Sequence, residues 1–518
     1  MSQTNLRGKN PPKQSPIVNH LNCATLEGLH AKAIEVEATF TKGLPNFSVV
    51  GLPSSDIQEA KERVKSALLV NQFIFPPLKI TINLSPSDIK KQGTHFDLSM
   101  ALLIALHKTS IKEEQLFVFG ELGLGGEIKS SSSLFPLILS LKEQALIRRA
   151  MVPENAMPYL SHIAGVEFIP VKNLAQAIQW FNDPQCPIKS QHFQYHAHSF
   201  EINNQTYYDD PSITEDFADV KGQSVAKRAA LIAAAGMHNF LMEGNPGCGK
   251  SMIAQRLREI LPPLEEAEML AIAKHQFLDG TIPDFRAKRP MRSPHHTATS
   301  ASIFGGGSRK ARIGEVALAH KGILFFDELP HFSKNILEAL REPLQDGKVN
   351  ISRVNSKILY DADIMFVSAM NPCPCGNLLS KRNACRCSEL EIRRYKNRLS
   401  DPFLDRIDLF VVMQEISPND QVDINSREMK SAVNLAFKAQ KERGQQALNG
   451  KLSVQEIDTF CSLDGSSQTI LNTAIERFGL SHRSIASIKK VARTIADLDQ
   501  KKMIEKAHLL EALSYRRR

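Results

Sequence analysis

Between Gly244 and Ser251 the chain reads Gly-Asn-Pro-Gly-Cys-Gly-Lys-Ser, which fits the spacing G-x-x-x-x-G-K-[ST]. Each residue type there has a task toward a triphosphate. Glycines let the backbone approach the phosphates, and amides at the start of a following helix point at them. Lys250 neutralises charge between the β and γ groups, and the Ser251 hydroxyl can hold Mg²⁺. Asn245, Pro246, Gly247, Cys248 and Gly249 complete the loop, with Cys248 read as a small filler. Downstream, Gly322-Ile-Leu-Phe-Phe-Asp-Glu328 is an apolar run ending on two carboxylates, the pattern of a buried strand whose C-terminal end meets a ligand crevice. Asp327 would hold the Mg²⁺ shell, and Glu328 would orient or deprotonate the water attacking the γ-phosphate. The bland alternatives are a Gly-rich turn and a solvated strand end; the two motifs together imply ATP binding and hydrolysis.

The elements that must position these groups are legible around them. A short apolar run, Phe240 to Met242, precedes the loop, and Ile253, Leu257 and Ile260 share one face of the helix that it opens. A chain of 518 residues exceeds a single core, so an α/β multidomain protein of two to four domains is expected, on the rule of roughly 100–200 residues per domain. Residues 1–16 are polar and Pro-rich, a loose tail. Over 17–181, runs such as FSVV and LKITINL alternate with the helical SSDIQEAKERVKSALL, predicting a mixed α/β domain. Residues 182–215 are rich in His, Gln and Asn and read as a connector. The α/β block 216–415 carries the chemistry, and 416–518 is mainly helical, with Ile485, Ile488, Val491 and Ile495 at helical spacing.

With 42% hydrophobic and 23% charged residues the chain is neither disordered nor disulfide-stapled. A formal charge of +9 is compatible with nucleic acid without requiring it. No run approaches the roughly 20 apolar residues of a membrane helix, and no signal-like segment follows the start, so a cytoplasmic protein without membrane contact is expected. Four of the eight cysteines fall at Cys373, Cys375, Cys385 and Cys387. Two C-x-C pairs supply enough thiolates for a tetrahedral structural Zn²⁺, with Lys381, Arg382 and Arg386 offsetting their charge. The spacing departs from the usual C-x₂-C, and four free cysteines on a surface loop are the alternative.

Further stretches, among them FTKGLPNFSVVGLP, RPMRSPHHT, FGGGSRKARIGEVALAHKGILFFDELP, LEALREPLQDGKVNISR, SAMNPCPCG, FLDRIDLFV and VARTIADL, give a resemblance to the YifB/ComM family of magnesium-chelatase-like AAA+ proteins over nearly the whole chain. The resemblance implies a Lon-protease-like (ChlI-type) domain at 17–181 and a AAA+ P-loop core of the helix-2-insert kind at 216–415. It also implies a helical C-terminal lid at 416–518 and a ring, a homo-hexamer. In the family's pattern Asn371 is similar to the sensor-1 position that orients attacking water, and Arg406 resembles the arginine finger supplied to a neighbour's ATP. Arg483 falls at the sensor-2 arginine, although Ser487 stands where a basic residue is common. The residues alone leave Arg406 free to pair with Asp405 or Asp408 instead. A Lon-like fold raises Ser–Lys proteolysis, but Gln92 to Leu98 has no Ser at the corresponding place and Glu127 to Phe135 does not supply the catalytic Lys. The domain is therefore expected to be a proteolytically inactive scaffold.

Cations recur in two loops that rings of this kind turn toward their channel: Arg309, Lys310 and Arg312 in one, Arg353 and Lys357 in a hairpin around Ile351 to Lys357. Such residues would track a nucleic-acid backbone, with solvated loop charge as the alternative; a peptide-gripping pore would show an aromatic. The resemblance implies a DNA helicase or translocase that drives branch migration during homologous recombination in natural transformation. Its partners would be single-stranded, forked or three-stranded DNA and proteins of the recombinase pathway. A chelatase-like remodeller of a protein partner and a protease-associated unfoldase are the competing readings.

Overall fold

The computed structural model describes residues 19–109, 111, 115–183, 197–306, 312–353, 356–415, 421 and 424–516. The tail expected at 1–16 lies outside them, as do Arg309 and Lys310. The chain divides into two units, Met1–Gln194 and Tyr195–Arg518.

In the first unit, a seven-stranded mixed sheet runs in the order Asn46–Val50, Lys79–Ser85, His30–Thr41, Asn19–Glu27, Leu116–Val118, Arg149–Pro153, Glu167–Val171. Alternation sets its faces: in Lys79–Ser85, Ile80, Ile82 and Leu84 are buried while their neighbours are not. Helix Asp97–Ala105 is buried on all sides, as an all-round apolar sequence requires. The described residues of this unit thus mix strands and helices around one sheet.

A five-stranded parallel sheet organises the second unit, in the order Met291–Arg292, Ile323–Phe326, Met365–Met370, Phe240–Glu243, Leu409–Val412. Its three inner strands are buried at every position, which is why they read as continuous apolar runs. Helix Ser224–Gly236 is nearly half alanine, and its small side chains admit helices Ser426–Glu442 and His482–Leu498 at close range. Val433, Ala436, Ile488, Val491 and Ile495 share one core with Ala230, Ala233 and the sheet. The described residues from 424 onward are mainly helical, and their buried faces share one core with the sheet. Among the described residues no helix is long and apolar enough to cross a membrane.

The expected connector 182–215 is corrected over its second half. His198–Ile202 and Gln205–Asp209 form a hairpin whose inner strand pairs with Leu264–Glu265. Asn203 and Asn204 both take positive φ, 51° and 61°, the backbone that a two-residue hairpin turn needs and that Asn tolerates. Ile202 and Tyr207 are buried against Phe437, whose ring meets that of Tyr207 edge-on at 5.1 Å.

Asp408 ties the sheet to the C-terminal helices. Its carboxylate accepts the Asn239 amide at 3.0 Å and the Ser487 hydroxyl at 2.6 Å, with the His238 ring at 3.7 Å. Burial works against this charge, but the His238 imidazole, the Ser487 hydroxyl and the Asn239 amide more than offset it and hold the carboxyl well below the usual range. A depressed folded-state pKa contributes stability above the unfolded carboxylate value of about 3.9, which is lost as pH falls toward the folded value. Asp408→Ala is expected to lower unfolding free energy by about 2–3 kcal/mol at neutral pH. Denaturation midpoints should register the drop, and the gap from the unsubstituted chain should narrow below about pH 4.

Candidate functional site

Strand order brings the chemistry together. Met365–Met370 lies between the strand that feeds the P-loop and the acidic strand Ile323–Phe326, so Gly244, Asn371 and Asp327 follow three adjacent parallel strand ends, where ligands of open α/β sheets bind. Gly247 and Gly249 take φ of 77° and 95°, which lets the loop curl before helix Lys250–Leu257 begins. A Cβ at Gly244 would come within 2.7 Å of Cys248 Sγ and 3.0 Å of Met413 Cβ. Cys248 is buried and fills that space, and burial pushes its thiol up.

Lys250 Nζ donates to the carbonyls of Gly244 and Asn245 at 2.6 and 2.9 Å and to Asn371 Oδ1 at 3.2 Å. All three oxygen partners are uncharged, and burial pulls the ammonium below its ordinary value. A buried cation held only by neutral acceptors is an anion site. Ser251 Oγ donates to Asp327 Oδ2 at 2.8 Å, so the two expected Mg²⁺ ligands already face each other. These donors fit the group: a hydroxyl and a carboxylate are hard oxygen ligands of the kind Mg²⁺ takes. Asn371 thus meets the P-loop through Lys250.

Glu328 sits at φ 51°, a left-handed conformation unusual for a non-glycine residue. Its backbone amide donates to Asp327 Oδ1 at 2.9 Å, and its half-exposed carboxylate stands 3.7 Å from His296 Nδ1 and 3.6 Å from His331 Nδ1. Tyr395 packs beside them, its ring edge-on to His331 at 6.1 Å, and burial pushes its hydroxyl up to about 12. An open cleft of about 640 Å³ continues from the histidines, lined also by Lys334, Arg394 and Arg398. His296, His331 and Tyr395 were not singled out by the sequence; they come from three separate elements, and only their meeting in space relates them to Glu328.

Arg406 donates through Nε to the Arg341 carbonyl at 3.0 Å, through Nη1 to the Pro402 carbonyl at 2.6 Å and through Nη2 to Gln345 Oε1 at 2.7 Å. Arg483 Nη2 donates to the same Gln345 oxygen at 2.7 Å. Burial, then the Arg483 and Arg341 guanidiniums, pull Arg406 below its ordinary value. Asp405 is taken by Ser481, Ser484 and Arg516, and Asp408 by the contacts above, so the ion pairs that competed for Arg406 do not form. The two arginines converge on one glutamine, and among the described residues none of their hydrogen-bond partners belongs to the P-loop. Ser487, which stands where a basic residue is common in the resembled pattern, donates its hydroxyl to Asp408.

Arg312 is exposed on Arg312–Ile313, which pairs with Gly305–Gly306. The hairpin around Ile351 to Lys357 forms from Lys348–Arg353 and Ser356–Asp361; the side chains of Arg353 and Lys357 lie outside the described residues. The ligand atoms of Cys373, Cys375, Cys385 and Cys387 all lie within 4.8 Å of one another, a grouping that could hold a metal ion.

Three family profiles match: subunit ChlI of Mg-chelatase over residues 36–156, magnesium chelatase subunit ChlI over 216–421, and the ChlI C-terminal region over 423–516. The chain is 35% identical over 500 residues to competence protein ComM of Haemophilus influenzae, covering 94% of this chain and 95% of that one. It is 37% identical over 506 residues to the uncharacterized protein YifB of Escherichia coli, covering 94% and 95%. Against the magnesium-chelatase 67 kDa subunit of Chlorobaculum parvum it is 26% identical over 161 residues, 30% of this chain and 23% of that one.

Proposed function

The chain belongs to the YifB/ComM family of magnesium-chelatase-like AAA+ proteins, and from that membership we propose that it is a hexameric, Mg²⁺-dependent ATPase that moves on DNA and promotes branch migration in recombination during natural transformation. The observation that carries the ATPase half is the buried Lys250, which has only neutral partners beside the Ser251–Asp327 pair. Lys250 and the loop amides bind the β/γ-phosphates. Ser251 and Asp327 would hold Mg²⁺, which supplies charge neutralisation on the triphosphate when bound. Glu328 takes a proton from the attacking water, Asn371 orients that water, Arg406 reaches the ATP of a neighbouring copy, and Arg483 serves as the sensor-2 arginine. In this reading the first unit is a Lon-like, proteolytically inactive scaffold, the second a helix-2-insert core with its lid, and the protein works in the cytoplasm beside recombinase-pathway proteins. The cysteine quartet is a closed Zn²⁺ site.

The DNA half is supported by the exposed Arg312 strand and by a relative named for competence. Single-stranded and forked DNA are expected to raise the ATPase rate several-fold, with apparent DNA affinity falling by about tenfold or more between about 50 and 200 mM salt as released counterions compete. A second reading, an ATP-driven remodeller of a protein partner, is favoured by the chelatase-subunit profiles across both units. A rate indifferent to every DNA tested would reject the helicase assignment in its favour.

A further inference from the structure

The cysteine loop begins just after Asn371 and ends just before helix Glu389–Lys396. Its sulfurs are spaced as ligands: Cys373 to Cys375 is 3.4 Å, and Cys385 stands 3.7 Å from each. A tetrahedral site with Zn–S near 2.3 Å has sulfur–sulfur edges of about 3.8 Å, whereas a disulfide needs about 2.05 Å. No side chain from Asn377 to Ser388 is buried, so apolar packing does little to fix that stretch and metal ligation would add to its order.

This loop meets the nucleotide pocket repeatedly. Upstream, Asn371 accepts from Lys250. Within it, Gly376 takes φ +80°, and a Cβ there would stand 2.7 Å from the Pro246 ring. Lys381 donates its amide to Glu415 Oε2 at 3.2 Å, while Glu415 Oε1 accepts from Asn245 Nδ2 at 3.1 Å. Downstream, Lys396 Nζ holds Glu243 Oε1 at 2.9 Å, on the residue before Gly244.

We propose that the zinc-bound loop is the outer wall of the ATP pocket, with Gly376 and Glu415 as positioning residues that hold Pro246 and Asn245, so that zinc occupancy sets nucleotide affinity. The inference rests on the zinc reading of the quartet. Ordering the loop fixes the Gly376 contact and the Lys381–Glu415–Asn245 chain, and thereby the P-loop carbonyls that hold Lys250. An empty loop frees them, and the phosphates must then reorder the P-loop on binding.

The test uses the full chain. Metal analysis should find one zinc per chain. Stripping it with a thiol-binding mercurial and a chelator, followed by reduction, should weaken a fluorescent ATP analogue by about tenfold or more, and Zn²⁺ alone should restore binding. Glu415→Ala, remote from the thiols, should keep its zinc and raise KM for ATP about three- to tenfold with little change in kcat, the size of one charge-assisted hydrogen bond. Glu415→Gln, which keeps an acceptor for Asn245, should recover most of that loss. Gly376→Ala should act in the same direction with zinc retained. Zinc absent from the protein and not taken up from added Zn²⁺ would reject the metal reading. Zinc present, with analogue affinity unchanged after stripping and KM unchanged in Glu415→Ala, would reject the coupling alone.

Discussion

Glu328→Gln should stop turnover and leave nucleotide bound: kcat is expected to fall by about 10²–10⁴-fold, with affinity for an ATP analogue within about twofold of the parent. In the proposed mechanism phosphate binding belongs to Lys250 and the loop, and the Mg²⁺ ligands would be Ser251 and Asp327, which meet at 2.8 Å. Glu328 meets this group only through its backbone amide, which donates to Asp327 Oδ1 at 2.9 Å, and its side chain is turned elsewhere. It is held apart by its left-handed backbone, with its carboxylate toward His296 and His331. Glutamine preserves the shape and the contacts but cannot accept a proton from water. Hydrolysis at the parental rate would mean that another group is the base.

Arg406→Ala and Lys250→Ala should each be inactive alone, by about 10³-fold or more for the arginine, and recover activity when mixed. A site that takes its P-loop from an Arg406→Ala chain and its guanidinium from a Lys250→Ala neighbour is whole, and random mixing makes such sites roughly a quarter of the total. The expectation follows from where Arg406 sits. It is bound to Arg341, Pro402 and Gln345, crowded by other guanidiniums and, among the described residues, served by no carboxylate hydrogen bond, which suits it to an anion arriving from outside its own chain. A mixture as inactive as its components, or a strictly monomeric protein hydrolysing ATP at full rate, would refute completion in trans.

The P-loop, Asp327 and Glu328 were legible because their chemistry is local: a phosphate loop needs its glycines, lysine and serine within one turn, and the strands beside it are apolar on both faces. Asn371 and Arg406 were reachable through family resemblance alone. The Gln345 oxygen shared by Arg406 and Arg483 was not, since the three residues are far apart in the chain and Gln345 carries no charge to draw notice. The histidines around Glu328 escaped for the same reason. The hairpin at 198–209 was misread because its polar composition outweighed two weaker signals, the alternation in FEI and TYY and an Asn-Asn pair between them.

That hairpin also decides where the catalytic half of the chain starts. The chelatase profile begins at residue 216, yet a protein trimmed there would lose the strand bonded to Leu264–Glu265 and uncover Phe437, leaving an unpaired backbone edge beside an exposed aromatic. Truncation and limited proteolysis should therefore respect a border ahead of His198, and pieces cut nearer the P-loop should be prone to self-association.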